Sequence, residues 1–455
     1  MRILLSAANF CVEPLPVYPL GMSVIANVLA KDGHEVTQFD PLPYGRDSFM
    51  DAAEQCFREF NPDIIAVSIR NIDVADSQDT KAYAFQGSLN VIATWRRLFS
   101  GPIILGGPGF SMNPEAVLEK SGADYGVAGE GEDAMRKIVD DIASGNPPPK
   151  GIVLRMPASG IYGARYSRKI AEYYNEETHT LPVQTKRGCP FHCVYCTYPM
   201  LEGHRLRLRP LEDVLGDVAH LKANYPDVML YFTDSIFNDP NHEYLPLLKE
   251  MIKRDLSIPW TGFITPFNLS DEDIDIMAQS GLVCADLGVD GTTDATLRGL
   301  GKNFSFQQVK HCCERFLERK IGVNANAMFG APGETWDTVR EGIANMLSLA
   351  HVYSIIFSGI RILSGAPLIE TAREQGCIPE GWDDTQPLYY YAPGIDSAKL
   401  HEMLLEGFKG SNYCVYPPSS RSDDFKMLHK YGYAKLKKME LSGGYRRRRK
   451  RESNA

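Results

Sequence analysis

The sequence predicts an α/β protein with a doubly wound parallel sheet at the N-terminus, then a partial (β/α)6 barrel of TIM type, then a C-terminal cap. Three observations lead there. Strand and helix patterns alternate with short connections over the first 150 residues. The proline run Pro147-Pro148-Pro149 then interrupts the rhythm. A second alternating series follows, with strand candidates spread from 183 to 360, which suits a parallel barrel better than another open sheet.

In the first series Arg2–Ser6, Asp63–Ile69 and Ile103–Leu105 are apolar runs of strand length, Glu35–Phe39 is a further strand, and Gly21–Lys31 and Ser48–Phe60 carry helical spacing. The unbroken run in Asp63–Ile69 is what a strand covered on both faces requires. The second series places strands at Val183–Lys186, Met229–Thr233, Thr261–Thr265, Val283–Val289, Val323–Phe329 and Ser354–Ile360. Helical patterns such as Glu212–Asn224 and Thr335–Leu349 separate them. Beyond Pro379 periodicity fades, and Tyr389-Tyr390-Tyr391 is the main feature. The expected division is a first domain over 1–150, a linker over 151–180, the barrel over 181–378 and a cap over 379–455.

Composition narrows the function classes. The chain has 455 residues, 44% apolar and 23% charged, the balance of a soluble globular protein with two or three domains. No run approaches the ~18 apolar residues of a membrane span. The opening apolar run stops at Asn9, short of a signal peptide, so a cytoplasmic protein is expected. The net charge is −9 even though Arg446, Arg447, Arg448, Arg449, Lys450 and Arg451 are all cationic. The rest of the chain is strongly acidic, which argues against nucleic-acid binding, and the tail reads as a solvated terminus. Ten cysteines without an export signal do not suggest a disulfide framework.

Three of those cysteines are clustered. Arg187-Gly-Cys-Pro-Phe-His-Cys-Val-Tyr-Cys-Thr-Tyr-Pro spaces Cys189, Cys193 and Cys196 as C-x-x-x-C-x-x-C, directly after the first strand of the second series. Three thiolates on one loop suit a cubane 4Fe–4S cluster and leave its fourth iron open to chelate a substrate or cofactor. The rival is zinc, with His192 or His204 as fourth ligand, although structural zinc sites usually pair two half-sites and no second CxxC exists.

From about Leu181 to Gly376 the chain resembles the radical S-adenosylmethionine superfamily, on this cysteine spacing with an aromatic before the last Cys. The resemblance implies that the open iron binds the amino and carboxylate groups of S-adenosylmethionine, with Tyr195 near the adenine. Further matches fall at strand ends. Tyr231-Phe-Thr-Asp-Ser-Ile-Phe resembles the motif contacting the methionine moiety and nominates Thr233, Asp234 and Ser235. Leu287-Gly-Val-Asp-Gly resembles a Gly-Val-Glu-Ser pattern whose acid, here Asp290, contacts the cofactor. Gly330-Ala-Pro-Gly-Glu-Thr resembles the loop beside the adenine and nominates Gly330 and Gly333. The plainer readings are helix N-caps for Asp234 and Asp290, turn residues for the glycines, and surface ion pairs for Arg205, Arg207 and Arg209.

The first domain carries Gly106-Gly107-Pro108-Gly109 after a strand and Gly126-Val-Ala-Gly129-Glu130-Gly-Glu further on. Glycines there let backbone amides approach a phosphate or nucleotide tail. Ahead of such a barrel the domain resembles a Rossmann-like cobalamin-binding domain, on Pro19-Leu-Gly-Met-Ser-Val-Ile-Ala-Asn-Val-Leu and Gly33-His-Glu-Val-Thr-Gln-Phe-Asp. Ser68, Gly106 and Gly107 match positions that cradle the nucleotide tail, and Gly129 and Glu130 are further candidate cofactor-binding residues. The His-bearing D-x-H-x-x-G loop is missing, and His34 stands before a strand rather than after the first one. Bound cobalamin is therefore expected base-off without His ligation, with Arg70 near the lower face of the cobalt. The plainer reading pairs Arg70 with Asp73 or Asp40.

The tandem arrangement resembles the cobalamin-dependent radical S-adenosylmethionine enzymes over roughly 1–376. It implies three cofactors, a 4Fe–4S cluster, S-adenosylmethionine and cobalamin, and methyl transfer from methylcobalamin to a substrate carbon. It also implies a small-molecule or peptide substrate and an electron donor such as flavodoxin or ferredoxin. Two alternatives stay open: the same cofactors used for cyclisation or rearrangement, and a non-catalytic corrinoid or iron–sulfur carrier. Tyr389, Tyr390, Tyr391, Trp382 and Arg361 are candidate pocket residues, with core packing as the plainer role for the aromatics.

Overall fold

In the computed structural model, which describes residues 1–421 apart from 13–14, 73–74, 80–83 and 226, the first apolar runs become one six-stranded sheet. Its strands are β1 (Arg2–Ala7), β2 (Glu35–Phe39), β3 (Ile64–Ser68), β4 (Ile103–Gly106), β5 (Tyr125–Val127) and β6 (Val153–Leu154). All pair in parallel, in the order β2-β1-β3-β4-β5-β6. Because β2 joins one side of β1 and β3 the other, the connections diverge at the carboxyl ends of β1 and β3. A crevice forms at such a switch point. Leu4 shares a core with the helices Gly45–Phe60 and Ala84–Leu98 on one face. Ile3 and Leu5 share one with Leu20–Lys31 and Glu132–Ala143 on the other. Burial on both faces is why these strands read as continuous apolar runs.

The division expected at 150 falls short of this sheet. Strand β6 lies beyond the proline run, and two residues are too few to show a period. Nor is 151–180 a bare tether. It holds the helix Arg168–Thr178, whose buried Tyr174 donates a 2.9 Å hydrogen bond to Asp40 Oδ2 of the first domain.

The second series begins with β7 (Thr180–Val183), followed by a short antiparallel pair, β8 (Lys186–Arg187) and β9 (Arg207–Leu208). The barrel continues through β10 (Met229–Phe232), β11 (Trp260–Ile264), β12 (Leu282–Leu287), β13 (Gly322–Asn324), β14 (Ala327–Phe329) and β15 (Ser354–Ser358). Strands β7, β10, β11, β12 and β13 are consecutive parallel neighbours, and β14 pairs with β15. The strand expected over Val323–Phe329 is broken at 325–326. There Asp290 enters as a bridge to Ala327, and Asn326 Oδ1 accepts the Ile355 amide at 2.9 Å, so the chain changes partners mid-strand. Thr293, Ser305 and Thr335 each open a barrel helix with a reciprocal capping box.

The cap contributes more than cover. β16 (Ile360–Arg361) pairs antiparallel with β17 (Tyr389–Tyr390), and β18 (Cys414–Val415) extends the barrel in parallel beside β15. The three tyrosines part company. Tyr390 is fully buried and donates to Gln375 Oε1 at 2.8 Å, while Tyr389 and Tyr391 reach the first domain at Asp76 O and Ser77 Oγ, each 3.3 Å. The basic run 446–451 lies outside the described residues.

Candidate functional site

A cavity of about 530 Å³ opens at the carboxyl edge of the first sheet, at the switch point. Ser68, Arg70, Gly106, Gly107, Gly129 and Glu130 all line it. Its far wall comes from the barrel, through Thr197, Tyr198, Leu201 and Glu202, which follow the last cysteine of the cluster. The glycine after β4 is obligatory. Gly107 sits at φ +94, and a Cβ there would lie 2.6 Å from the Ile69 carbonyl, so any side chain would push the two edge loops apart.

Arg70 has no ion-pair or hydrogen-bond partner among the described residues. Its expected partner Asp40 instead accepts the Leu42 amide and the Tyr174 hydroxyl, and Asp73 lies outside the described residues. Burial lowers the Arg70 pKa, and nearby Arg361 adds to the lowering. His34 stands before β2, at the opposite edge of the sheet, with its Nδ1 3.4 Å from the N-terminal amine.

The cysteine loop hangs from the β8–β9 pair. Gly188 takes φ +93 where a Cβ would meet the Arg205 carbonyl at 2.2 Å. Backbone bonds then pin the loop: Cys189 N to Gly203 O at 3.1 Å, Val194 N to Leu300 O at 3.1 Å and Leu368 N to Val194 O at 2.8 Å. Cys189 is buried, and Cys193 and Cys196 are half-buried. Burial first, then the proximity of Cys193 and Cys189, pushes the Cys196 thiol up to about 12, and Cys189 moves the same way. Three mutually interacting thiols on one pinned loop fit a cluster that takes them as thiolates. Among the described residues no three His, Cys, Asp or Glu side chains converge on a single-ion site, and the His192 and His204 rings lie side by side, tilted by 39° with centroids 4.9 Å apart. Cubane ligands bind different irons and so need not converge as zinc ligands must.

Around this loop the nominated residues separate. Tyr195 donates to Asp290 Oδ2 at 2.6 Å, so these two are brought together. Asp290 does not cap a helix but turns the chain at φ +62. A residue missed by sequence reasoning completes the group: Lys302 Nζ donates to Asp290 Oδ2 at 2.5 Å and to Gly288 O at 3.1 Å, and lies 5.5 Å from the Tyr195 ring centroid. Nothing but its place after a short helix marks Lys302 in the sequence. Ser235 Oγ donates to Glu202 Oε2 at 2.8 Å, and the same oxygen accepts the Gly188 amide at 3.2 Å. Glu202, also missed, therefore fastens the residue before Cys189. Thr233 pairs its amide with Val183 O at 3.0 Å.

Two nominations need correction. Asp234 is neither a helix cap nor open to a ligand. Its carboxylate is fully buried and accepts Thr185 N at 2.7 Å, Thr185 Oγ1 at 2.5 Å and Lys186 N at 3.2 Å, stapling the strand that leads to the cysteine loop. Glu130 lines the cavity, but both of its oxygens are engaged: Arg207 binds it bidentately at 2.6 and 3.0 Å, Arg187 at 3.1 Å and the Ala158 amide at 2.9 Å. Arg207 and Arg209 do form ion pairs, the latter a buried one with Asp217 at 2.7 Å. Gly330 and Gly333 both take positive φ in the loop after β14. The Gly330 and Ala331 amides donate to one oxygen of Glu334, which burial lifts to about 7.

Comparison with known proteins agrees with this division of labour. The B12 binding domain family matches residues 12–139, and the Radical SAM superfamily matches 183–344. Tryptophan 2-C-methyltransferase of Streptomyces laurentii is 24% identical, over 79% of this chain and 73% of its own length. Bacteriochlorophyllide d C-8(2)-methyltransferase of Chlorobaculum tepidum is 24% identical, over 76% of each chain. The fold is that of the radical S-adenosylmethionine methyltransferase TsrM from Kitasatospora setae, solved with tryptophan substrate and a SAM analog. That match has a TM-score of 0.83 over 100% of both chains at 22% identity. A B12 domain followed by a radical SAM domain, meeting at one cavity beside a three-cysteine loop, defines the assignment: the chain belongs to the cobalamin-dependent radical S-adenosylmethionine enzymes, with a 4Fe–4S cluster, S-adenosylmethionine and cobalamin as cofactors.

Proposed function

We propose that this enzyme transfers a methyl group to a carbon atom of a small-molecule or peptide substrate, with Cys189, Cys193 and Cys196 holding the cluster and the 530 Å³ cavity holding the corrin. One observation carries the reading. The cavity is walled on one side by the B12 domain and on the other by Thr197, Tyr198, Leu201 and Glu202, which directly follow the cysteine loop, and this supports two cofactors acting side by side. When bound, the cluster supplies single-electron chemistry on S-adenosylmethionine and the corrin supplies the methyl group.

The chain's own residues hold and orient. Glu202 fixes Gly188, and through it the register of Cys189. Asp290 aims the Tyr195 hydroxyl, and Lys302 presents a buried ammonium beside the same loop, suited to a carboxylate such as that of S-adenosylmethionine. Gly107 and Gly129 leave room for a bulky tail, and Ser68 stands at the same edge. Arg70 supplies a cation that is a poor cobalt ligand and discourages other donors, which supports a base-off corrin. The pairing of β16 with β17 ties the C-terminal segment to the barrel, which suits that segment to act as a cap that keeps water out.

The test is anaerobic turnover with S-adenosylmethionine carrying an isotopically labelled methyl group, in extracts of the source cell. Label recovered on a carbon of a product, with S-adenosylhomocysteine formed, is expected. Label that stays on the corrin would point to cyclisation or rearrangement. No S-adenosylmethionine consumption with any extract would point to a carrier.

A further inference from the structure

Glu132 stands where the two halves of the site meet. It opens the helix Glu132–Ala143, is 1% exposed, and lines the cavity at the edge of the first sheet. Its Oε1 accepts Arg187 Nη2 at 2.6 Å, yet its Oε2 is buried with no hydrogen-bond partner. Leaving a buried carboxylate oxygen unpaired is costly, so a donor is missing from the cavity side. Arg187 is committed on every side: Nη1 to Glu130 Oε1 at 3.1 Å, Nη2 to Glu132, and Nε to Gln184 Oε1 at 2.9 Å. Two residues further on is Cys189.

We propose that Glu132 bridges the cobalamin site and the cysteine loop, its Oε2 accepting a hydrogen bond from a peripheral amide of bound corrin while its Oε1 holds Arg187. The inference rests on reading this cavity as the cobalamin site. Corrin side chains end in amides, so they bring the N–H donors that a lone carboxylate oxygen requires. The guanidinium fork explains why Arg stands at 187. It reaches Glu130 and Glu132 together, which the single ammonium of Lys cannot do with the same geometry. Corrin binding then tightens the Glu132–Arg187 contact, and Arg187 sets the backbone that enters the cysteine loop. Glu132 and Arg187 are positioning residues, and the two cofactors bind with reciprocal coupling.

The experiment titrates aquacobalamin into cluster-free and cluster-reconstituted protein, reading the corrin absorbance, for wild type, Glu132→Gln and Arg187→Lys. In wild type the cluster should tighten cobalamin binding about 5-fold or more. Glu132→Gln should weaken cobalamin about 10-fold or more and abolish the coupling. Arg187→Lys should weaken cluster-free cobalamin binding less than Glu132→Gln does while losing the coupling, a split that general loss of stability does not produce. Unchanged affinity in folded Glu132→Gln overturns the proposal and leaves the cavity assignment standing. If Glu132→Gln does not fold, intact coupling in Arg187→Lys overturns it instead. Wild type that binds no cobalamin overturns the cavity assignment itself.

Discussion

The two walls of the cavity are built on different principles. On the B12-domain side Ser68, Gly107 and Gly129 bring backbone to the edge beside Arg70, a cation with no ion-pair partner among the described residues, while the carboxylates Glu130 and Glu132 are held by Arg187. On the barrel side the charges around the cysteine loop are tied down: Asp290 by Tyr195 and Lys302, Glu202 by Ser235 and Gly188, Asp234 by Thr185. The contrast fits what each wall is proposed to hold. A corrin is bulky, and its rim is mostly neutral amide, so shape and close backbone approach decide its fit. Thiolates and a zwitterionic amino-acid group are small and charged. In a low-dielectric site their partners must be fixed in place, because an unpaired buried charge costs several kcal/mol.

Breaking the charged wall should have the largest effect. Replacing Cys189, Cys193 or Cys196 by Ala is expected to drop iron loading to background and abolish turnover, while cobalamin still binds the other wall. Iron analysis beside corrin absorbance separates the two. Equal loss of both cofactors would mean that the walls fold as one unit.

Glu334 provides the next effect, through pH. Its carboxyl rises from 4.5 to about 7 because it is buried. The folded state therefore binds the proton more tightly than the unfolded one. The resulting stability is fully present below about pH 4.5 and is lost as pH rises through about 7, on the order of 3 kcal/mol in all. Glu334→Gln should flatten the denaturation midpoint across that window. A wild-type profile already flat between pH 5 and 8 would contradict it.

On the backbone wall, Gly107→Ala forces a side chain into φ +94 beside the Ile69 carbonyl and should cost about 1–3 kcal/mol. Cobalamin affinity should fall with it while cluster loading is kept. Lys302→Met is the reciprocal probe. S-adenosylmethionine affinity should fall about 10-fold, as for a lost charged hydrogen bond, with cobalamin affinity unchanged in equilibrium titration. The smallest effect belongs to Arg70. In Arg70→Ala, binding should stay within a few-fold, because no ion-pair partner among the described residues is lost with the cation. The electron paramagnetic resonance of the cob(II)alamin form should change nonetheless. A nitrogen superhyperfine pattern already present in wild type would reject the base-off assignment.

Much of the fold was legible because the chain carries continuous apolar runs and period-3.6 apolar patterns wherever elements are long and buried. Strands β1, β3 and β4 fall close to their expected places, as do β10, β11 and β12. Short elements were not legible. β6 and β18 are two residues each, and what makes them strands is a neighbouring edge rather than their own composition. The break between β13 and β14 was also hidden, since it depends on Asp290 arriving from another loop.

For the site, sequence alone determined the chemistry on offer. Three thiols at fixed spacing must share a loop, glycines after a strand must admit close backbone, and a missing His cannot ligate. Which charge meets which was decided only by tertiary structure. Glu130 and Asp234 sit in motifs that promise a cofactor contact, yet arginines 57 and 77 positions away and amides 48 and 49 positions away claim their oxygens. Lys302 carries no local signature at all, and Glu132 closes the glycine-rich run from Gly126 without anything that marks its partner. The reason is physical: a charge acquires its role from the partner that desolvates with it, and here those partners lie in other elements, brought within 3 Å only when the sheet and the barrel close on one cavity.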